Sequence, residues 1–218
     1  MGENDRDSFR HRRREMVERQ LRRRGVADER VLEAMGLVPR ELFMPKTRRR
    51  VAYADGPAAI GCGQTISQPY IVALMSELIS PRPGKRVLEI GSGSGYQAAV
   101  LAACGCVVYS VETVPRLHRL ARSNLERAGL LKNVHLRHGN GYAGWPAEAP
   151  FDAALLTCAP PEIPGAILEQ VRTGGVVVGP RGRGGLQDLV RIRITSEGPE
   201  EEYITGVLFV PMVDNPSD

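Results

Sequence analysis

The chain has 218 residues, 42% of them hydrophobic and 25% charged, with a formal net charge of +4. That length suits one well-buried domain and is short for two. No run of about eighteen apolar residues exists, which excludes a helical membrane span, and the charged start has no apolar signal segment, so a cytoplasmic location is expected.

Residues 1 to 12 are polar and charged with almost no apolar anchor, and disorder is expected there. Across residues 13–24, Met16, Val17 and Leu21 recur at helical spacing until Gly25 stops the pattern. Asp28 suits the N-cap of a second helix carrying Val31, Leu32, Met35 and Leu37, ended by Pro39. Residues 40–66 are rich in Gly, Pro and short polar residues and read as a long loop, a length that is usually functional. An apolar helix over residues 69–79 is broken by Pro81-Arg82-Pro83-Gly84.

Short buried strands are then predicted over residues 86–90, 107–112, 134–137, 151–157 and 176–178. Helices lie between them, ending near Ala103, running over residues 115–128, and near residues 163–171. Such alternation marks a parallel sheet covered on both faces. Residues 189–195 alternate apolar and basic side chains, and another strand covers residues 203–210. The acidic stretch between them, residues 197–202, is too short for a crossover helix, so these strands should be antiparallel. The expected fold is α/β: N-terminal helices, a mostly parallel seven-stranded sheet and a C-terminal antiparallel hairpin. This layout resembles the Rossmann-like fold of S-adenosylmethionine-dependent methyltransferases. Residues 13–213 are taken as one domain, with residues 214–218 a tail.

Cys62, Cys104, Cys106 and Cys158 form no C-x-x-C pair and read as small buried or half-buried residues. No metal site is expected. Arginines crowd residues 6–24 and again 48–50, a pattern that can mark a nucleic-acid footprint. The clusters lack interleaved aromatic residues to stack bases and include Glu15 and Glu18, which favours a solvated helix face.

The first chemical signal is Val87-Leu88-Glu89-Ile90-Gly91-Ser92-Gly93-Ser94-Gly95-Tyr96. A buried strand runs into a turn where Gly91, Gly93 and Gly95 let the backbone approach a ligand, and a helix N-terminus follows. The G-x-G-x-G spacing differs from the G-x-G-x-x-G dinucleotide fingerprint. Glu89 could hold an ammonium group. Glu112, ending the next strand, is placed to accept from two ribose hydroxyls, although it also reads as a helix-start acid. The loop His138-Gly139-Asn140-Gly141-Tyr142 follows the third strand, where an adenine could lie against Asn140 and Gly141, or is a plain Asn-Gly turn. Upstream, Ser67 has the character of an N-cap before Pro69; spacing alone does not make it catalytic.

Five blocks taken together resemble the protein-L-isoaspartate O-methyltransferase family. They are Gly63-Gln64-Thr65-Ile66-Ser67-Gln68-Pro69-Tyr70, the glycine-rich run above, Ala149-Pro150-Phe151-Asp152-Ala153, Ala159-Pro160-Pro161-Glu162-Ile163-Pro164 and Phe209-Val210-Pro211. The likeness spans roughly residues 13 to 213, in order. It implies S-adenosyl-L-methionine as methyl donor, S-adenosyl-L-homocysteine as product, and isoaspartyl peptides and proteins as substrates, repaired through a succinimide. It also implies Ser67 as the active-site residue, with Thr65 and Gln64 beside it on a closing loop. Asn140 stands where the family usually has Asp; its carbonyl oxygen could still accept from an adenine amino group. A nucleic-acid methyltransferase is the alternative, but Ala159-Pro160-Pro161-Glu162 lacks the amide or acid and the aromatic of the Asn/Asp-Pro-Pro-aromatic run that base-amino methyltransferases often carry. A monomer without membrane or nucleic-acid partner is expected.

Overall fold

The computed structural model describes residues 3–214, with side chains described from residue 7 onward. In chain order the helices are α1 (Glu3–Met16), α2 (Glu29–Leu37), α3 (Pro69–Leu78), α4 (Tyr96–Ala103), α5 (Pro115–Arg127) and α6 (Gly165–Leu168). The strands are β1 (Ala58–Gly61), β2 (Gln64–Ile66), β3 (Arg86–Ile90), β4 (Val107–Glu112), β5 (Val134–His138), β6 (Phe151–Leu156), β7 (Val171–Arg181), β8 (Gln187–Thr195) and β9 (Gly198–Val207). The main sheet has seven strands in the order β5-β4-β3-β6-β7-β8-β9. The first five are mutually parallel and β8 and β9 run antiparallel, as expected.

Strand alternation divides the core. On β3 and β4, Val87 and Val108 join an apolar cluster with α2, α3 and α4, whereas Leu88, Ile90, Tyr109 and Val111 join Phe151 and Ile167 on the other face. Burying one such large aliphatic side chain contributes about 1.5–3 kcal/mol, so both faces hold the sheet. The strand order reverses between β3 and β6, and connections diverging to either side leave a crevice at the carboxyl ends of β3, β4 and β6. Among the described residues no helix is long and apolar enough to cross a membrane.

Several boundaries differ from the sequence reading. The stretch expected to be disordered is helical from Glu3, and residues 1–2 lie outside the described residues. Its polar surface is tied by neighbours one turn apart, His11 with Glu15 and Arg19 with Glu15, while Phe9 packs 6.4 Å from Tyr53. A π-helical turn at Val17–Leu21 continues α1 and keeps Val17 and Leu21 in the core; Gly25, at φ 90°, ends the helical path. Asp28 caps α2 as expected, accepting from the Arg30 and Val31 amides. Leu37, assigned to the apolar stripe of α2, is 71% exposed because at 3.6 residues per turn it falls off the face that carries Val31, Leu32, Ala34 and Met35.

The predicted loop over residues 40–66 contains two 3-10 turns (Arg40–Phe43 and Lys46–Val51) and the β1–β2 hairpin. Period-two patterning is too short there to read. The acidic stretch 197–202 mostly belongs to β9: Glu202 and Glu200 face Arg191 and Arg193 across the hairpin, and Arg181 pairs with Glu201 at 2.8 Å. Cross-strand ion pairs let a run of carboxylates enter a sheet that composition alone disfavours. Part of the predicted tail, residues 215–218, lies outside the described residues.

Candidate active site

One pocket sits at the crevice and encloses about 780 Å³, its open mouth included. Its floor comes from the ends of three parallel strands: Ile90 of β3 and Gly91 just past it, Val111 and Glu112 of β4, and Thr157 and Cys158 after β6. One wall is the turn Ser92-Gly93-Ser94 with Tyr96 and Gln97 of α4. The facing wall is the β2 segment Gln64–Ile66 and Ser67. Gly141 and Met212 close a third side.

The glycine turn has a steric cause. Gly91 holds φ at 95°, and a Cβ placed on it would stand 2.5 Å from Thr157 Oγ1. Gly95, the residue before α4, holds φ at 87°, and a Cβ there would meet the Ala121 backbone of α5 at 3.3 Å. Gly91 opens the pocket floor; Gly95 lies outside the lining and serves helix packing. This corrects its expected place at the ligand.

Glu112 organises the turn. Its Oε2 accepts from the Gly93 amide at 2.8 Å and its Oε1 from the Val114 amide at 2.9 Å, ahead of α5. The side chain is therefore both the helix-start acid and a pocket carboxylate, two readings that the sequence left as alternatives. Burial raises its pKa, and the Val114 and Gly93 amides oppose that shift by hydrogen-bonding the anion. Each carboxylate oxygen has two acceptor directions, so a second donor can still be received.

Glu89 is not where the sequence reading put it. It is fully buried, outside the pocket lining, and accepts from the Ser110 hydroxyl, its register partner on β4. Position along the strand explains this: Val87 and Glu89 lie short of the end of β3 on the side that α4 covers, while Ile90 and Gly91, at and just past its end, meet the pocket. Burial pushes its pKa up to about 8 against the opposing Ser110 hydrogen bond, and the Glu112 charge adds to the rise. Its Oε1 has no hydrogen-bond partner among the described residues. An ammonium-holding role for Glu89 does not fit this placement.

Asn140 is also outside the lining. Its Oδ1 accepts from the Tyr142 amide at 2.8 Å and caps the short turn Gly141–Ala143, while Gly141 itself reaches the pocket. The plain-turn reading describes the Asn140 side chain, because a short amide satisfies the nearest free N–H. Ser67 is half-buried and lines the pocket, but Gln68 holds the N-cap position of α3 without a side-chain cap. The Ser67 hydroxyl, freed from capping, makes no hydrogen bond among the described residues. Gln64 and Thr65 line the same wall.

Thr157, Cys158 and the segment from Val210 to Val213 were not picked out as site residues. The last is clipped beside β6 by Ala159 N–H to Val210 O at 2.9 Å and Met212 N–H to Ala159 O at 2.8 Å. Its block, Phe209-Val210-Pro211, was the only available signal. Burial pushes the Cys158 thiol up to about 12, so it stays protonated at neutral pH. Cys62 is exposed, contrary to expectation, on the tight turn between β1 and β2.

The comparisons with known proteins agree on one family. The model of the protein-L-isoaspartate(D-aspartate) O-methyltransferase family matches residues 11–217. The chain belongs to that family. A protein-L-isoaspartate O-methyltransferase 2 from Anaeromyxobacter sp. is 53% identical over 201 residues, 92% of this chain and 82% of that protein. A protein-L-isoaspartate O-methyltransferase from Methanoculleus marisnigri is 51% identical over 208 residues, 95% of this chain and 94% of the relative. Among solved structures, a putative Plasmodium falciparum protein-L-isoaspartate O-methyltransferase in complex with S-adenosyl-L-homocysteine has a TM-score of 0.80 at 27% identity, covering 93% of this chain and 99% of its own.

Proposed function

We propose that the crevice binds S-adenosyl-L-methionine and that Ser67 presents an L-isoaspartyl carboxylate to it. The observation that carries this reading is that Glu112, the Gly91–Gly93 turn and the Gln64–Ser67 wall border one pocket. The residues fit the cofactor chemically. Gly91 leaves room for close approach, Glu112 offers an acceptor to a ribose diol, and Ile90, Val111 and Met212 offer apolar surface to a purine.

When bound, S-adenosyl-L-methionine would supply a methyl group on a sulfonium, leaving as S-adenosyl-L-homocysteine; the substrate's methyl ester is then attacked by the adjoining backbone amide nitrogen, which expels methanol and closes the succinimide. An isoaspartyl carboxyl, with an ordinary pKa near about 3.9, is already ionised at neutral pH. No general base is needed. Among the described lining residues Glu112 is the only carboxylate, and it is held by two amides. The free Ser67 hydroxyl donates to the substrate carboxylate and orients it, with Thr65 and Gln64 alongside. Walls that exclude water strengthen the attraction between carboxylate and sulfonium before transfer, and positioning supplies most of the acceleration.

Ser67→Ala should lower kcat by about 10- to 100-fold, the loss of one hydrogen bond to a charged group. Unchanged turnover on an isoaspartyl peptide removes the role. For Asn140, wild type should bind S-adenosyl-L-homocysteine, and calorimetry on Asn140→Asp should find affinity changed by less than about tenfold, because either side chain can accept from Tyr142 N–H. A wild type that fails to bind while the Asp variant binds refutes this.

The decisive test offers an isoaspartyl peptide, its normal aspartyl twin and an RNA to the enzyme with methyl-labelled donor. Labelling and methanol release confined to the first peptide are expected; labelling of RNA alone would replace this function with the nucleic-acid alternative. We take residues 13–213 as the catalytic unit and infer a cytoplasmic monomer. Four free cysteines suit a reducing compartment, and the edge strand β9 carries Glu200, Glu201 and Glu202, which discourage edge-to-edge pairing.

A further inference from the structure

Arg40 lies in the 3-10 turn Arg40–Phe43, outside the pocket lining, yet is 99% buried. Arginine cannot shed its proton, so a full charge is held away from water, where an unpaired ion is strongly disfavoured. Among the described residues no carboxylate pairs with it. Its Nε donates to the Ala52 carbonyl at 2.8 Å and its Nη2 to the Ser67 carbonyl, also at 2.8 Å. The guanidinium carbon lies 4.8 Å from the centroid of the Tyr96 ring, and Nη1 has no hydrogen-bond partner.

Two of these neighbours, Ser67 and Tyr96, are walls of the pocket. The third, Ala52, belongs to the upstream segment that precedes the β1–β2 hairpin. A planar fork thus ties the strand-to-helix junction at Ser67 to the N-terminal segment on one side and to α4 on the other. Phe43, from the same turn, packs edge-on to Tyr96 at 5.5 Å, and Arg127 of α5 donates to the Leu42 carbonyl at 3.1 Å. The turn carrying Arg40 is therefore anchored independently of the segment it grips. Without this grip the Ser67 carbonyl has no other hydrogen-bond partner among the described residues, and the residues before α3 lose their fixed end.

We propose that Arg40 is the positioning residue of the substrate-facing wall: its guanidinium fixes the Ser67 backbone and thereby the direction of the Ser67 hydroxyl. This rests on the reading of Ser67 given above. Arg40 touches neither substrate nor cofactor and acts through Ser67. A misplacement of about 1 Å in a reacting geometry lowers rate by about 10²-fold, so the effect should fall on kcat more than on cofactor binding.

Two variants test it. Arg40→Met removes charge and fork; Arg40→Lys keeps the charge but replaces the planar fork with a point donor. Both are checked for folding by circular dichroism, for S-adenosyl-L-homocysteine affinity by calorimetry, and for turnover of an isoaspartyl peptide. Hydrogen exchange of the amides in residues 64–68 is followed alongside. Expected are kcat lower by about 10²-fold in Arg40→Met and about tenfold in Arg40→Lys, product affinity within about threefold, and faster exchange confined to that segment.

Folded variants with kcat within about twofold of wild type and unchanged exchange overturn the proposal. Loss of folding in both variants overturns it too, because the guanidinium then holds the fold as a whole. If wild type does not methylate isoaspartyl peptide at all, the functional reading fails, and the exchange result still decides whether Arg40 fixes the segment.

Discussion

Glu112→Ala should bind S-adenosyl-L-homocysteine at least about 10²-fold more weakly than wild type while remaining folded. Two hydrogen bonds to the charged carboxylate vanish, from Gly93 at 2.8 Å and from Val114 at 2.9 Å, and each is worth about 1.5–3 kcal/mol. Those two bonds are made with or without ligand, so their loss lowers stability and loosens the glycine turn; the affinity falls because the proposed ribose contact to the charged carboxylate goes with it. Glu112→Gln should lie between the two. Its amide oxygen can accept from one backbone N–H, but its NH2 then faces the other, a donor against a donor. Calorimetry of both variants, with thermal melts as folding controls, reads the effect. An affinity for Glu112→Ala within threefold of wild type would sink the role assigned to this carboxylate.

Glu89 should make the protein less stable as the solution becomes alkaline. In the folded chain its pKa stands at about 8, against an ordinary value of 4.5. The folded state therefore holds a proton that the unfolded state has already released. Stability is greatest below the lower value, declines through the interval between them, and levels off above the higher one. The shift corresponds to about 5 kcal/mol at most across that interval. Glu89→Gln has no proton to lose. Its melting temperature should vary less with pH, and should overtake the wild-type value on the alkaline side. Parallel wild-type and Glu89→Gln melts between pH 5 and 9 would contradict the buried-acid account. The role is structural: Glu89 and Ser110 form a polar pair under α4, joined by Ser92, whose hydroxyl is 2.6 Å from that of Ser110.

Both carboxylates end or nearly end a strand, and local patterning treated them alike. Glu112 is the last residue of β4 and can turn its side chain back over the Gly93 amide. Glu89 pairs in register with Ser110, two residues before Glu112, so both acids share one face of the sheet, but Glu89 lies deeper along it and is covered. Two positions of depth along the same face separate a ligand-facing acid from a buried one. The same limit applies to Asn140 and Gly141, neighbours of which only the glycine lines the pocket. Ser67 was located but given the wrong capping duty, because Gln68 stands at the cap position.

The Ser67 segment was marked only by its likeness to a family, whereas the amino-acid order alone determined the alternation of strands and helices, the antiparallel end of the sheet, the glycine turn and Glu112. These depend on period, spacing and residue chemistry within a few positions, which a linear reading contains. Tertiary structure alone decided that residues 210–213 return beside β6 to wall the pocket, that Glu89 is sealed beneath it, and that Arg40 reaches across 27 positions to the Ser67 carbonyl. Those outcomes follow from which surfaces are covered when distant segments pack, and burial is a property of the assembled chain rather than of any stretch of it.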